Sequence, residues 1–166
     1  MKFGIAIHGG AGTILRSSLT EEKEKLYTGA LRDALNTGYS ILEKGGSALD
    51  AVETAVKKLE DCPLFNSGRG SVFNSEGKHE MDASIMNGKD LSAGAVSLIR
   101  NIKNPVTLAR TVMEKSEHVY LCGEGAEEFA RKMNLPFEND EYFYDEFRYE
   151  QWKRSQTNDS VNLDHN

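Results

Sequence analysis

Between Asp61 and Ser71 the chain reads Asp-Cys-Pro-Leu-Phe-Asn-Ser-Gly-Arg-Gly-Ser, a single amide side chain set among one proline, two glycines and two serines. Gly68 and Gly70 reach backbone angles closed to other residues, and Pro63 stiffens the entry. A loop so constrained presents Asn66 as a fixed donor and acceptor, and turns neighbouring carbonyls toward something small. The same composition also makes an ordinary tight turn between a helix and a strand. A second Gly-rich turn, Ile7-His8-Gly9-Gly10-Ala11-Gly12, directly follows the apolar run Phe3-Gly4-Ile5-Ala6-Ile7.

The chain offers no persuasive nucleophile of its own. Cys62 and Cys122 sit beside no convincing histidine partner in sequence, and no Gly-x-Ser-x-Gly elbow occurs. His8, His79, His118 and His165 lack zinc spacing. Ser67 and Ser71 flank glycines, where a serine usually serves the turn. A phosphate cradle at Gly9 and Gly10 lacks both the Walker Lys-Ser/Thr and the dinucleotide Gly-x-Gly-x-x-Gly. Read residue by residue, the sequence leaves a noncatalytic domain open beside an enzyme.

The motifs taken together are more specific. HGGAG and LEDCPLFNSGRGSVF, followed by His79-Glu80-Met81-Asp82-Ala83-Ser84-Ile85-Met86 and by Asn104-Pro105-Val106-Thr107-Leu108-Ala109-Arg110, resemble the α subunit of the plant-type L-asparaginase/isoaspartyl peptidase family. The resemblance runs from about Phe3 to about Leu135. It implies an N-terminal-nucleophile hydrolase that cuts itself, exposing a threonine whose free α-amine serves as base for its own hydroxyl. No threonine in the family's Thr-Val-Gly setting is present, so the resemblance makes this chain the first product of that cut, partnered by a β subunit from the same precursor in an (αβ)2 assembly. The implied fold is α+β, half of an αββα four-layer sandwich. The implied reaction is acyl transfer from L-asparagine or β-aspartyl (isoaspartyl) dipeptides, with the substrate carboxylate clamp on the other chain. Alternatives are a nucleophile-less binding or scaffold domain of the same fold, or a glycosylasparaginase or threonine-aspartase relative.

The resemblance also implies roles for particular residues. Asn66 matches the family's active-site asparagine, and Gly9 and Gly10 the glycines that line the far side of the nucleophile, where backbone amides approach a developing negative charge. The carbonyls of Leu59, Glu60, Cys62, Phe65, Ser67 and Arg69 are expected to hold a structural sodium ion, since neutral oxygens suit a hard cation. No organic cofactor is implied. Asp82, in an apolar strand, reads as structural, and Asn87 stands where the family often has aspartate in an Asx-Gly turn.

The elements that must position these residues follow from periodicity. Residues 2 to 8 read as a buried strand. Ser18 with Glu21 has capping-box spacing, opening a long helix through Leu26, Ala30, Ala34, Ile41 and Leu42 to Gly45-Gly46. Ser47 with Asp50 caps a second helix on Leu49, Val52, Val56 and Leu59, so the Asn66 loop hangs from its C-terminus. Segments 71 to 73, 80 to 86 and 92 to 99 read as an antiparallel meander with turns at 74 to 77 and at Asn87-Gly88. Asn104-Pro105 opens a helix to about Glu114, His118 to Leu121 reads as a short strand, and Gly125 to Met133 as a helix. Tyr142, Phe143, Tyr144, Phe147 and Trp152 are expected to pack on the domain. Residues 1 to 154 are read as the folded subunit and 155 to 166 as a mobile linker tail.

Composition bounds the rest. With 166 residues and 39% hydrophobic content there is material for one ordinary core. A net charge of −6 with a pI near 5.3 argues against nucleic acid or an anionic membrane as partner. Two cysteines are too few for a disulfide framework and read as buried thiols. Without a signal-like start or a membrane-length apolar run, a cytoplasmic location is expected.

Overall fold

The computed structural model describes residues 2–10 and 19–157 as a mixed α/β unit with a small sheet. Helix α1 spans Glu21–Glu43 and α2 Ala48–Glu60. Ser18 lies outside the described residues, and Thr20 caps α1 instead, its hydroxyl accepting from Lys23 N at 3.2 Å. Ser47 caps α2 as expected, accepting from Asp50 N at 3.1 Å. Along their contact both helices present small residues: a Cβ on Gly38 would stand 2.7 Å from Ala51 O and 3.1 Å from Ala55 Cβ. This close approach turns the buried stripe onto Ala34, Gly38, Ala51 and Ala55 and leaves Leu26 and Val52, expected on the apolar face, exposed.

The sheet comprises β1 (Met81–Met86), β2 (Ala93–Ile99) and β3 (Tyr120–Cys122) in that order. Strands β1 and β2 are antiparallel, pairing Ser84 with Ala95 and Met86 with Ala93. The expected meander stops there, because β3 runs parallel to β2, reached by a crossover through helix α3 (Pro105–Lys115). Two further expected strands are corrected. Segment 71 to 73 keeps only a single bridge, Phe73 to His79, because Asn66 takes the Val72 N–H at 3.0 Å and removes it from any ladder. Residues 2 to 10 form no strand among the described residues. They lie along α1, the Phe3 ring 5.3 Å from that of Tyr39, with Ile5 and Ile7 only half-buried.

One face of the sheet is covered. Met81, Ile85, Val96 and Ile99 pack with Val106, Leu108 and Val112 of α3, with Ala126 and Ala130 of α4 (Gly123–Lys132), and with Phe143 of the short α5 (Asp140–Phe143). The opposite face carries Asp82, Ser84 and Met86 beside Ala93, Ala95 and Ser97, then Tyr120 and Cys122, all exposed or half-buried in this chain. Helices α2 and α3 are joined by Arg110, whose Nη1 lies 2.7 Å from both Asp50 Oδ1 and Glu53 Oε2. The Ser47 hydroxyl first, then Arg110, hold the Asp50 carboxyl below its ordinary range.

Helix α6 (Glu146–Thr157) completes the unit. Its Tyr149 and Trp152 rings lie 5.9 and 6.0 Å from Phe73, so the aromatic stripe does pack on the domain, although Tyr144 and Phe147 remain exposed. The helix crosses the boundary read at 154/155, and residues 158–166 of the expected tail lie outside the described residues. No helix among the described residues is long and apolar enough to cross a membrane.

The contact between β2 and α3 depends on Gly94, where a Cβ would stand 2.1 Å from Ala109 O. Since the opposing atom is helix backbone, Gly94→Ala is expected to destabilise by about 3 kcal/mol or more. Urea denaturation checks this, and a midpoint equal to that of the unsubstituted protein would contradict it.

Candidate functional site

Helix α2 delivers the Asn66 loop from a buried end. Its last residue, Glu60, is 1% exposed, and Oε1 accepts the Val106 N–H of the first turn of α3 at 2.8 Å. That bond does the work of an N-cap, since Asn104 at the capping position does not cap its own helix and instead donates to Asp61 Oδ1 at 3.1 Å. Both residues that open the loop are thereby fastened to α3. Burial pushes the Glu60 carboxyl up to about 8, against the Val106 bond that pulls the other way.

Beyond Asp61 the loop folds around its own carbonyls. Gly68 has φ +53°, and a Cβ there would meet Glu60 O at 2.4 Å; a Cβ on Gly70 would meet Phe65 O at 2.2 Å and Pro63 O at 2.5 Å. Only glycine fits at these two positions, against which the main-chain oxygens of Glu60, Pro63 and Phe65 are turned. Gly70 N donates to Ser67 O at 3.1 Å and Ser71 N to Gly68 O at 3.0 Å, forming the 3₁₀ turn Gly68–Gly70. Within the set read as cation ligands, Leu59 O, Phe65 O and Ser67 O each already accept one amide hydrogen, which leaves a second lone pair on each.

Asn66 itself is exposed, its Oδ1 accepting from Val72 N. The preceding Phe65 is buried and meets the Tyr27 ring edge-on at 5.9 Å. A Cβ on Gly9 would lie 2.8 Å from Leu31 Cδ2 and 3.1 Å from Phe65 Cε1, so the His-Gly-Gly segment rests against the base of the Asn66 loop. Gly10 has φ +112°, is exposed, and donates its N–H to His8 Nδ1 at 3.1 Å. Two motifs about sixty residues apart in sequence are thus brought into contact, with Asn66 and Gly10 both facing solvent in this chain.

Other chemically able residues are accounted for structurally. Ser71 Oγ lies 3.2 Å from His79 Nδ1, and that nitrogen lies 3.0 Å from Ser71 O. Both residues are buried, and burial holds the His79 imidazole below its ordinary pKa, so the pair buttresses the loop. Asp82 accepts from Leu98 N at 2.9 Å across the bulge between β1 and β2, a structural role as expected. Of the two thiols expected to be buried, Cys62 is half-buried and Cys122 exposed, since β3 turns it onto the uncovered sheet face. The described residues contain no group of three or more His, Cys, Asp or Glu able to hold a metal ion.

Sequence reasoning missed two supports. Glu60 carried one signal, an acid on the last turn of a helix, where the dipole disfavours it unless it has a partner elsewhere. Arg148 of α6, 2% exposed with Nε donating to Gly70 O at 3.1 Å, carried none.

The site is thus a small sheet backed by helices and a glycine-built loop whose Phe65 rests against a second glycine turn. The profile of the family described as asparaginase matches residues 1–166, and the chain belongs to that family. It is 47% identical to the isoaspartyl peptidase of Escherichia coli over 161 residues, covering 97% of this chain and 50% of that protein. It is 57% identical to a plant-type L-asparaginase of Pyrococcus furiosus over 132 residues, 80% of this chain and 42% of that protein. With an isoaspartyl peptidase/L-asparaginase of Rattus norvegicus it shares 53% identity over 132 residues, 80% of this chain and 38% of that protein. The chain therefore spans about half the length of the curated relatives it matches.

The Glu60 carboxyl gives a pH signature. With a folded-state pKa near 8 against an ordinary 4.5, the native state binds more protons than the unfolded state between those values. Glu60's contribution to stability is then fully present below pH 4.5 and is lost as pH rises through 8. Glu60→Gln keeps an acceptor for Val106 N and cannot titrate, so its stability is expected to fall less than that of the unsubstituted protein over this window. Parallel denaturation curves against pH check the difference, and superimposable pH dependences would contradict it.

Proposed function

We propose that this chain is the α-subunit part of a threonine-nucleophile amidohydrolase that cleaves L-asparagine and β-aspartyl dipeptides after autoproteolytic maturation. The observation that carries this reading is the contact of Gly9 with Phe65, which sets the His-Gly-Gly turn beside Asn66 on an exposed surface. The names of the relatives and the half-length match support it. In the proposed reaction the threonine Oγ, supplied by the β subunit, attacks the substrate's side-chain carbonyl carbon while the threonine α-amine takes the hydroxyl proton. The C–N bond breaks, the amine leaves with that proton, and water hydrolyses the resulting ester to release the aspartyl product. Asn66 orients the surroundings of the reacting group. Backbone amides of the Gly9-Gly10 turn face the developing oxyanion, and the Gly10 N–H gives up its bond to His8 if it takes part.

The uncovered sheet face suits the rest of the proposed architecture. Small side chains at Ser84, Ala93, Ala95 and Ser97 give a flat surface on which a second sheet packs at about 10 Å, making the αββα sandwich. The β subunit would supply that sheet, and the αβ unit would pair again about a two-fold axis in a cytoplasmic enzyme. A sodium ion held by the carbonyls of Leu59, Glu60, Cys62, Phe65, Ser67 and Arg69 fits a loop whose glycines let main-chain oxygens turn inward. Such an ion would supply charge that orders the loop, and no chemical step runs through it.

Two outcomes are expected. Replacing sodium chloride with choline chloride lowers the thermal midpoint of the complete gene product, and identical midpoints would remove the ion from the proposal. In the same protein, Asn66→Ala is expected to lower kcat by roughly 10²-fold, about 3 kcal/mol of barrier, as for loss of a donor at a developing oxyanion. Loss of its bond to Val72 N costs about 1 kcal/mol of stability. Steady-state kinetics on both substrates beside urea denaturation separate these effects. Unchanged turnover would reduce Asn66 to a turn former.

A further inference from the structure

We infer that Arg148 of α6 is a positioning residue for the active-site loop, an inference that rests on the proposed hydrolase reading. Arg148 sits in the first turn of α6, its own N–H donating to Asp145 Oδ1 at 3.1 Å, and its guanidinium is oriented by Nη1 donating to Gln151 Oε1 at 3.2 Å. From there Nε donates to Gly70 O at 3.1 Å, across 78 residues of sequence. Gly70 is the tightest point of the loop, where a side chain would collide with both Phe65 O and Pro63 O. Fixing its carbonyl fixes the Gly70–Ser71 peptide plane.

The next carbonyl is fixed as well, since His79 Nδ1 lies 3.0 Å from Ser71 O. With both planes held, Val72 N points back to Asn66 Oδ1 at 3.0 Å. The orientation of the Asn66 amide is therefore set at Val72, six residues downstream, through a loop carbonyl held by a cation from α6. The same helix also supports the far end of this segment. A Cβ on Gly77 would stand 3.1 Å from Trp152 Cζ2, and Trp152 and Tyr149 both meet the Phe73 ring. Helix α6 thus holds the segment from Gly70 to Gly77 at both ends, with Arg148 the polar contact and the rings the apolar one.

The test uses the complete gene product carrying Arg148→Met, Arg148→Lys or Gln151→Met. For Arg148→Met, kcat is expected to fall about 10- to 100-fold, as for a displaced positioning group, with KM changed less than about threefold. Amide hydrogen exchange in a peptide covering 64 to 73 should quicken at least tenfold, while that in α3 and the sheet stays as in the unsubstituted protein. Arg148→Lys, with one donor able to reach Gly70 O, should recover part of both losses. Should Arg148→Met not fold, Gln151→Met, which frees only one anchor of the guanidinium, is expected to give the same pattern at smaller amplitude. Unchanged kcat with unchanged exchange at 64 to 73 would overturn the inference, as would loss of protection spread evenly over the sheet. If the unsubstituted protein turns over neither substrate, the hydrolase reading fails by itself, and exchange at 64 to 73 alone decides whether Arg148 positions the loop.

Discussion

The bond from Glu60 Oε1 to Val106 N is the constraint on which the site's geometry depends. It joins the last turn of α2 to the first turn of α3 and gives a helix start without a side-chain cap of its own the acceptor it needs. The same residue's main-chain oxygen presses on Gly68, so the position that locks the helix pair also sets where the loop begins to turn. Burying a carboxyl costs several kcal/mol unless the group is neutral or well paired. The helix N-terminus offsets part of that cost, and protonation relieves the rest, consistent with a pKa raised to about 8. Helix α3 is in turn the element against which β2 packs through Gly94, so loop and sheet share one reference frame.

Around that frame the chain sets its buried polar groups behind the Asn66 loop and its exposed ones in front. The buried polar pairs, Ser71 with His79 and Arg148 with Gly70, face inward and stiffen the loop from behind. The groups a substrate could meet, Asn66 and the Gly10 turn, face outward. Packed and hydrogen-bonded groups on the inner side thus supply the rigidity that holds a side chain within a narrow geometry.

Much of this was legible in the sequence where the signal is local. The Ser47 cap of α2, the Asn-Pro start of α3, the strands β1 and β2, and the two glycine loops all depend on neighbours within a few residues. Failures occurred where a distant group decided the outcome. Segment 71 to 73 has strand-forming residues, yet Asn66 takes its central N–H. Residues 2 to 8 hold the apolar run from Phe3 to Ile7 but pair with no strand among the described residues. The parallel placement of β3 depends on how α3 crosses the sheet, which periodicity does not encode. Glu60 and Arg148 act across 46 and 78 residues, and a single charged residue in sequence does not announce such a reach.

On the proposed reading this chain is one part of a self-processed enzyme whose nucleophile is a threonine facing Asn66. The most direct measurement is intact-mass analysis with N-terminal sequencing of the purified complete gene product. Two tightly associated polypeptides are expected, the second beginning with threonine. A single uncut polypeptide that hydrolyses β-aspartyl dipeptide, or a second polypeptide beginning with any other residue, would contradict it.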